Sequence, residues 1–267
     1  MITPHQIDTP RGRVAWLEAG AGWPMILIHA FPLNAEMWRP QLEQVPDGWR
    51  FIAPDLPGFG RTPLRARAAD GASVDDYAAE IGNLMDTLQL DDAVIAGLSM
   101  GGYIALAMYR LVPERFTGLV LADTRAQADT VEGRAARVRM REALAKDGAA
   151  AVADLMMPKL LSEQADAALV AHVRALIVDA DPAGIDAAIV AMMGRPDSTP
   201  DLPRMSNATL VVAGGLDVIT PVADAETMQR EIPRSTLTVI AGAGHLANLE
   251  QPERFSRALS DFLLARL

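Results

Sequence analysis

The chain has 267 residues, half of them hydrophobic and 22% charged, with a formal net charge of -10 and no cysteine. That is enough apolar material to bury a substantial core, as one large domain or two small ones. The acidic balance argues against nucleic acid and anionic membranes as partners, and the missing cysteines exclude disulfides, thiolate metal sites and a cysteine nucleophile.

Residues 1–6 carry neither the basic nor the apolar run of a secretory leader, and the longest uncharged run, residues 93–109, is too short for a membrane span. A cytoplasmic protein is expected. In chain order, His5 lies in an unstructured start, residues 14–18 form a short strand, and a turn follows at 20–22. Residues 25–28 are apolar throughout, as in a strand buried on both faces of a parallel sheet, and lead into His29-Ala30-Phe31-Pro32. A helical patch at 38–45 precedes a strand at 50–54 and the turn-rich Asp55-Leu56-Pro57-Gly58-Phe59-Gly60. Ser73 caps a helix reaching to about residue 90, with Val74, Tyr77, Ala78, Ile81, Leu84, Met85 and Leu88 at helical spacing.

Next, the apolar strand from Val94 breaks at Gly97-Leu98-Ser99-Met100-Gly101 and resumes as an apolar helix that runs to Val112 before Pro113. A further strand is expected at 118–122. From 124 to 200 strand signals vanish, alanine is frequent and no Phe, Tyr or Trp occurs; helical patterns fall at 130–146, 149–157, 162–178 and 182–193. Strands resume at 210–213 and 236–240, with helices at 221–232 and 253–267. This alternation predicts an α/β fold with a mostly parallel central sheet and helices on both faces. Residues 1–123 and 201–267 make its core, and 124–200 a helical cap inserted in it.

Ligands in such sheets bind at the carboxyl ends of the strands, where His29, Ser99, Asp123, Asp217 and the His245 loop all fall. A Gly-x-Ser-x-Gly turn between strand and helix is a nucleophile elbow. The glycines let the chain pass close by, and the helix N-terminus offers N–H groups to a developing oxyanion. Ser99 is therefore the expected nucleophile. A serine hydroxyl needs a base held in one tautomer by a carboxylate. His245, in Gly242-Ala243-Gly244-His245 after the last strand, is the expected base; His172 lies within a cap helix. Asp217 gives the chain order Ser, Asp, His. Asp123 competes with it, and Asp224 sits inside a helix pattern. The oxyanion hole is expected from the N–H groups of Met100 and Phe31, since Pro32 has none. His29 is expected either to organise that loop by hydrogen bonding or to be simply a partly buried histidine. No residues have metal-ligand spacing, so no metal is assigned, and the chemistry requires no cofactor.

On His29-Ala30-Phe31-Pro32, Asp55-Leu56-Pro57-Gly58-Phe59-Gly60, Gly97-Leu98-Ser99-Met100-Gly101-Gly102, the Gly-Gly-Leu-Asp217 turn and Gly244-His245, the chain resembles the α/β-hydrolases. It is similar to the capped esterases and lactonases, and to the 3-oxoadipate enol-lactonases in particular. The resemblance implies the α/β-hydrolase fold and a serine hydrolase acting on a small-molecule ester or lactone. In one departure, Ala30 stands where the family usually has glycine. Serine at the elbow sets the chain apart from the similar haloalkane dehalogenases and epoxide hydrolases, which attack with a carboxylate. Cofactor-free haloperoxidases and perhydrolases share Ser-Met-Gly-Gly, so perhydrolysis, carbon-carbon bond hydrolysis and a ligand-binding receptor on the same fold are the alternatives.

His29, Pro32, Met156 and Met157 are the expected substrate contacts. With Met140, Met192 and Met193 the cap methionines offer adaptable apolar surface, although methionines at helical spacing equally serve packing. A cap without aromatics favours small or medium aliphatic acyl groups. Arg125, Arg134, Arg137, Arg139 and Arg141 offer attraction for a carboxylated lactone or a solvated helix face. The oligomeric state is left open.

Overall fold

The computed structural model describes residues 1–9, 12–65 and 71–265. The first half of the chain forms β1 (Thr3–Thr9), β2 (Gly12–Gly20), β3 (Trp23–Ile28), α1 (Arg39–Leu42), β4 (Trp49–Pro54), α2 (Val74–Thr87), β5 (Ala93–Leu98), α3 (Met100–Leu111) and β6 (Phe116–Ala122). Four helices follow without a strand: α4 (Val131–Asp147), α5 (Ala149–Leu160), α6 (Ala167–Val178) and α7 (Pro182–Gly194). The chain then returns through β7 (Thr209–Gly214), α8 (Val222–Glu231), β8 (Ser235–Ile240), α9 (Ala247–Glu250) and α10 (Pro252–Leu264). The expected helix at 253–267 covers most of α10, and its residues 266 and 267 lie outside the described residues.

The strands form one sheet in the order β1-β2-β4-β3-β5-β6-β7-β8. Only the β1–β2 and β2–β4 pairings are antiparallel; from β4 to β8 all pairs are parallel. Every residue of β5 is buried, which is why its sequence shows no polar alternation. Among the described residues no helix is long and apolar enough to cross a membrane.

The structure corrects the sequence reading at several places. The expected unstructured start is an edge strand, β1, paired with β2 in the register Ile7↔Val14, and His5 stacks on Trp16 at 5.1 Å between ring centres. Ladder hydrogen bonds to β2, not side-chain burial, hold it, so no apolar pattern announces it. The patch at 38–45 resolves into a 3-10 turn, Ala35–Trp38, and the single turn of α1, because Asn34 accepts from the Glu36 N–H and starts the coil early. The expected helix at 162–178 begins only at Ala167, where Asp166 accepts from the Leu169 N–H at 2.7 Å. By contrast α2 starts where expected, on a reciprocal cap between Ser73 and Asp76.

The helical insertion between β6 and β7 has a tied neck. The Ser198 N–H donates to the Ala126 carbonyl at 2.9 Å. Arg195, 4% exposed, donates to Asp129 at 2.7 Å and to the Gln127 carbonyl at 3.0 Å, and stacks over the Tyr103 ring of α3. The two ends of the insertion are thus bound to each other and to the core.

Helix α3 packs directly on β3. A Cβ built on Gly101 would lie 2.2 Å from the Ile28 carbonyl oxygen, whereas one on Gly82, in the middle of α2, meets nothing within 4 Å. Gly101→Ala is expected to lower unfolding free energy by about 1–3 kcal/mol or more through overpacking. Gly82→Ala is expected to raise it by about 0.5–1 kcal/mol, the ordinary helix preference for alanine. Urea unfolding of the two variants checks the pair.

Candidate active site

Ser99 follows the last residue of β5 and caps α3 with φ 55° and ψ -113°, a left-handed backbone that a residue with a Cβ adopts only under constraint. The constraint comes from both sides. Its N–H donates to the Ala122 carbonyl at 2.9 Å, and its carbonyl accepts from the Gly102 N–H at 2.9 Å and from the Thr124 hydroxyl at 2.8 Å. Gly97 permits the turn to close, since a Cβ there would lie 2.1 Å from the Gly101 carbonyl oxygen. Ser99 is 8% exposed, with its hydroxyl at the carboxyl end of the sheet.

His245 follows β8 in the loop before α9, and its Nε2 lies 2.8 Å from Ser99 Oγ. Its Nδ1 lies 2.7 Å from Asp217 Oδ2. The carboxylate cannot donate once ionised, so Nδ1 carries the proton and Nε2 presents a lone pair to the serine hydroxyl. Asp217 sits in the turn after β7 and is fully engaged. Its Oδ1 accepts from the Ile219 and Thr220 N–H groups at 2.7 and 3.0 Å, and its Oδ2 accepts from the Thr220 hydroxyl at 2.6 Å as well as from His245. Burial works against its charge, yet the hydrogen bonds from His245 and Thr220 outweigh that and hold its carboxyl below the usual range.

In the loop after β3, the Ala30 N–H is committed to Met37 Sδ at 3.1 Å and Pro32 has no N–H. Of that run the Phe31 amide remains, and neither it nor the Met100 amide, first in α3, donates to another described residue. Ala30, the departure from the family pattern, is accommodated with its methyl wholly buried.

His29 is also wholly buried. The Leu56 N–H donates to its Nε2 at 3.0 Å, and its Nδ1 donates to the Ala30 carbonyl at 3.0 Å. Both nitrogens are spent on backbone, so the ring ties the loop after β3 to the loop after β4 and keeps neither nitrogen free for a ligand. Burial pushes its pKa down to about 4, against the Ala30 carbonyl and the Asp55 charge.

Asp123, at φ 43° after β6, is the other buried carboxyl. It accepts from the Gly214 N–H at 2.6 Å, and burial together with the Asp217 charge raises its pKa well above the usual range. The imidazole of His245 meets Asp217, not Asp123. Among the described residues no group of three His, Cys, Asp or Glu could hold a metal ion.

A hydroxyl, an imidazole and a carboxylate joined in this order form an arrangement suited to nucleophilic attack on a carbonyl. The alpha/beta hydrolase family pattern matches residues 25–258. The chain belongs to that family. It is 30% identical to the AB hydrolase superfamily protein YisY of Bacillus subtilis, over 97% of this chain and 98% of that one. It is 28% identical to 3-oxoadipate enol-lactonase 2 of Acinetobacter baylyi, over 88% of this chain and 86% of that one. Among solved structures, a thermophilic esterase from Thermogutta terrifontis superposes with a TM-score of 0.91 at 36% identity, covering 99% of each chain.

The remaining expected residues of this α/β-hydrolase lie on separate elements. Pro32 is buried in the loop after β3, while Met156 and Met157 are half-buried on α5 and pack against the core. Arg125, Arg137 and Arg141 are paired with Asp224, Asp129 and Asp186, and Arg134 and Arg139 are exposed. Sequence reasoning missed Thr220 and Thr124. Thr220 had a local signal, an Asp-x-x-Thr spacing that lets two side chains bond within one turn; Thr124 had none.

Two outcomes are expected. Thr220→Val removes a hydrogen bond to an ionised carboxylate, of order 1.5–3 kcal/mol, so the reaction of Ser99 with a fluorophosphonate slows about ten- to a hundredfold, and Thr220→Ser restores it. For His29 the folded pKa lies below the unfolded 6.5, so the unfolded chain binds the proton first and stability falls as pH drops from 6.5 towards 4, by up to about 3 kcal/mol. Asp123 has the opposite slope, because its raised folded pKa makes the native state the one that binds the extra proton. Urea unfolding at stepped pH therefore compares wild type with His29→Gln, and the variant lacks the acid-side loss.

Proposed function

We propose that the protein is a carboxylic ester hydrolase that cleaves esters or lactones of small to medium acyl groups through an acyl-enzyme on Ser99. The contact of His245 Nε2 with Ser99 Oγ, at 2.8 Å, carries this reading. In the proposed reaction His245 takes the Ser99 proton as Oγ adds to the substrate carbonyl carbon. Asp217 stabilises the imidazolium that results, and the amides of Met100 and Phe31 receive the tetrahedral oxyanion. His245 then gives its proton to the leaving alkoxide, or to the ring oxygen of a lactone, as the carbon-oxygen bond breaks. Water, deprotonated by His245, adds to the acyl carbonyl carbon, and as the bond to Oγ breaks His245 returns the proton to Oγ, releasing the acid and free Ser99.

Residues 124–200 act in this reading as a cap on a core made of 1–123 and 201–267. Met156 and Met157 are half-buried on α5 and supply pliable apolar contacts for the acyl chain, with Pro32 bounding the acyl site beside the oxyanion loop. The relatives support both substrate classes, since one is named an enol-lactonase and one structural neighbour an esterase.

Ser99→Ala is expected to lower p-nitrophenyl ester turnover by about four orders of magnitude. Residual activity within about tenfold of wild type removes Ser99 from the mechanism. A panel of short esters, lactones and enol-lactones with that variant as blank identifies the preferred class.

A further inference from the structure

Helix α9 starts two residues after His245, and its last residue turns its side chain back. Glu250 Oε1 accepts from the Gly244 N–H at 2.7 Å, and Glu250 Oε2 accepts from the Ser162 N–H at 2.9 Å. Gly244 immediately precedes His245; Ser162 lies just past the end of α5, on the helical insertion. On the other side of the imidazole, the Leu246 N–H donates to the Leu160 carbonyl at 3.1 Å. Both chain neighbours of His245 are therefore fastened to residues 160–162 of the insertion, one directly and one through a single carboxylate. The junction has no slack. A Cβ on Gly244 would stand 2.8 Å from both Glu250 Oε1 and Ser162 N, and Leu160 and Leu161 are buried.

A planar carboxylate with one oxygen on each segment transmits displacement between them. If the insertion shifts at Ser162, Glu250 must follow or lose a charge-assisted hydrogen bond, and Gly244 moves with it. The imidazole one residue on works through two contacts, 2.8 Å to Ser99 and 2.7 Å to Asp217. Misplacement of a reacting group by about 1 Å costs up to a hundredfold in rate. We infer that Glu250 is a positioning residue that sets His245 against Ser99 according to the seat of the helical insertion. The geometry of the base is then coupled to how residues 160–162 sit on the core. This rests on the reading of Ser99 as nucleophile and His245 as base.

The test uses three variants of the full chain. Glu250→Gln keeps the shape but has one acceptor oxygen for two N–H groups. Ser162→Pro removes the N–H at the other end of the link, and Leu161, with φ -122° and ψ 151°, already has the extended backbone that a following proline requires. The third variant combines the two. Each single change is expected to lower kcat for p-nitrophenyl acetate, and the phosphonylation rate of Ser99 by a fluorophosphonate, by about ten- to a hundredfold. KM is expected to stay within about threefold. The double variant should lose no more than the more damaged single one, because both remove the same link. Asp186→Asn, which breaks only the Arg141 pair within the insertion, should leave kcat unchanged.

The coupling is overturned if Glu250→Gln keeps kcat and phosphonylation within about twofold of wild type while only the melting temperature falls. It is equally overturned if the losses of the two single variants multiply. Failure of the underlying reading looks different: wild-type protein then shows no phosphonylation of Ser99, before any Glu250 variant is made.

Discussion

The backbone of Ser99 is the constraint to which the rest of the site conforms. A left-handed serine between strand and helix costs on the order of 1–3 kcal/mol and persists because its neighbours over-determine it. β6 supplies the Ala122 carbonyl to its N–H, and Thr124, just past the end of β6, supplies its hydroxyl to the Ser99 carbonyl. Gly97 and Gly101 let β5, α3 and β3 approach backbone to backbone, closer than any side chain allows. The turn therefore fixes the direction of Oγ and the position of the first amides of α3 together.

Around that turn, buried ionisable groups are driven to different states by their partners. Asp217 stays charged because four donors converge on it. Asp123 is pushed towards its neutral form by burial beside that charge. His29 is neutral because one backbone N–H and one carbonyl suit that form alone. The charge of Asp217 thus faces the imidazole of His245, which is the electrostatic setting an imidazolium requires.

Much of this is legible in the chain because it is written locally. The elbow is strand, glycine, serine, glycine, helix within a dozen residues, and Asp217 and His245 stand at glycine-marked strand ends. The helical insertion shows itself by losing every aromatic and strand signal. What escapes is long-range. β1 is held by pairing with β2 and has an exposed, polar sequence. Glu250 reaches Ser162 across 88 positions, so no window of sequence contains both. Both Asp123 and Asp217 stand at strand ends; chain order favours Asp217, and the path of the β8 loop brings the imidazole to it.

The neck at Ala126 and Ser198 gives the insertion a particular standing within the chain. A segment that departs and rejoins at one hydrogen-bonded point is, topologically, a closed excursion, and its length has only a weak logarithmic influence on the entropy of closing it. The pairing of β6 with β7 is closed off at that point, and the excursion meets the core again where Ser162 and Leu160 hold Glu250 and Leu246. The length of the excursion can therefore change with little effect on the closing of the sheet, provided its seats at Leu160 and Ser162 are kept.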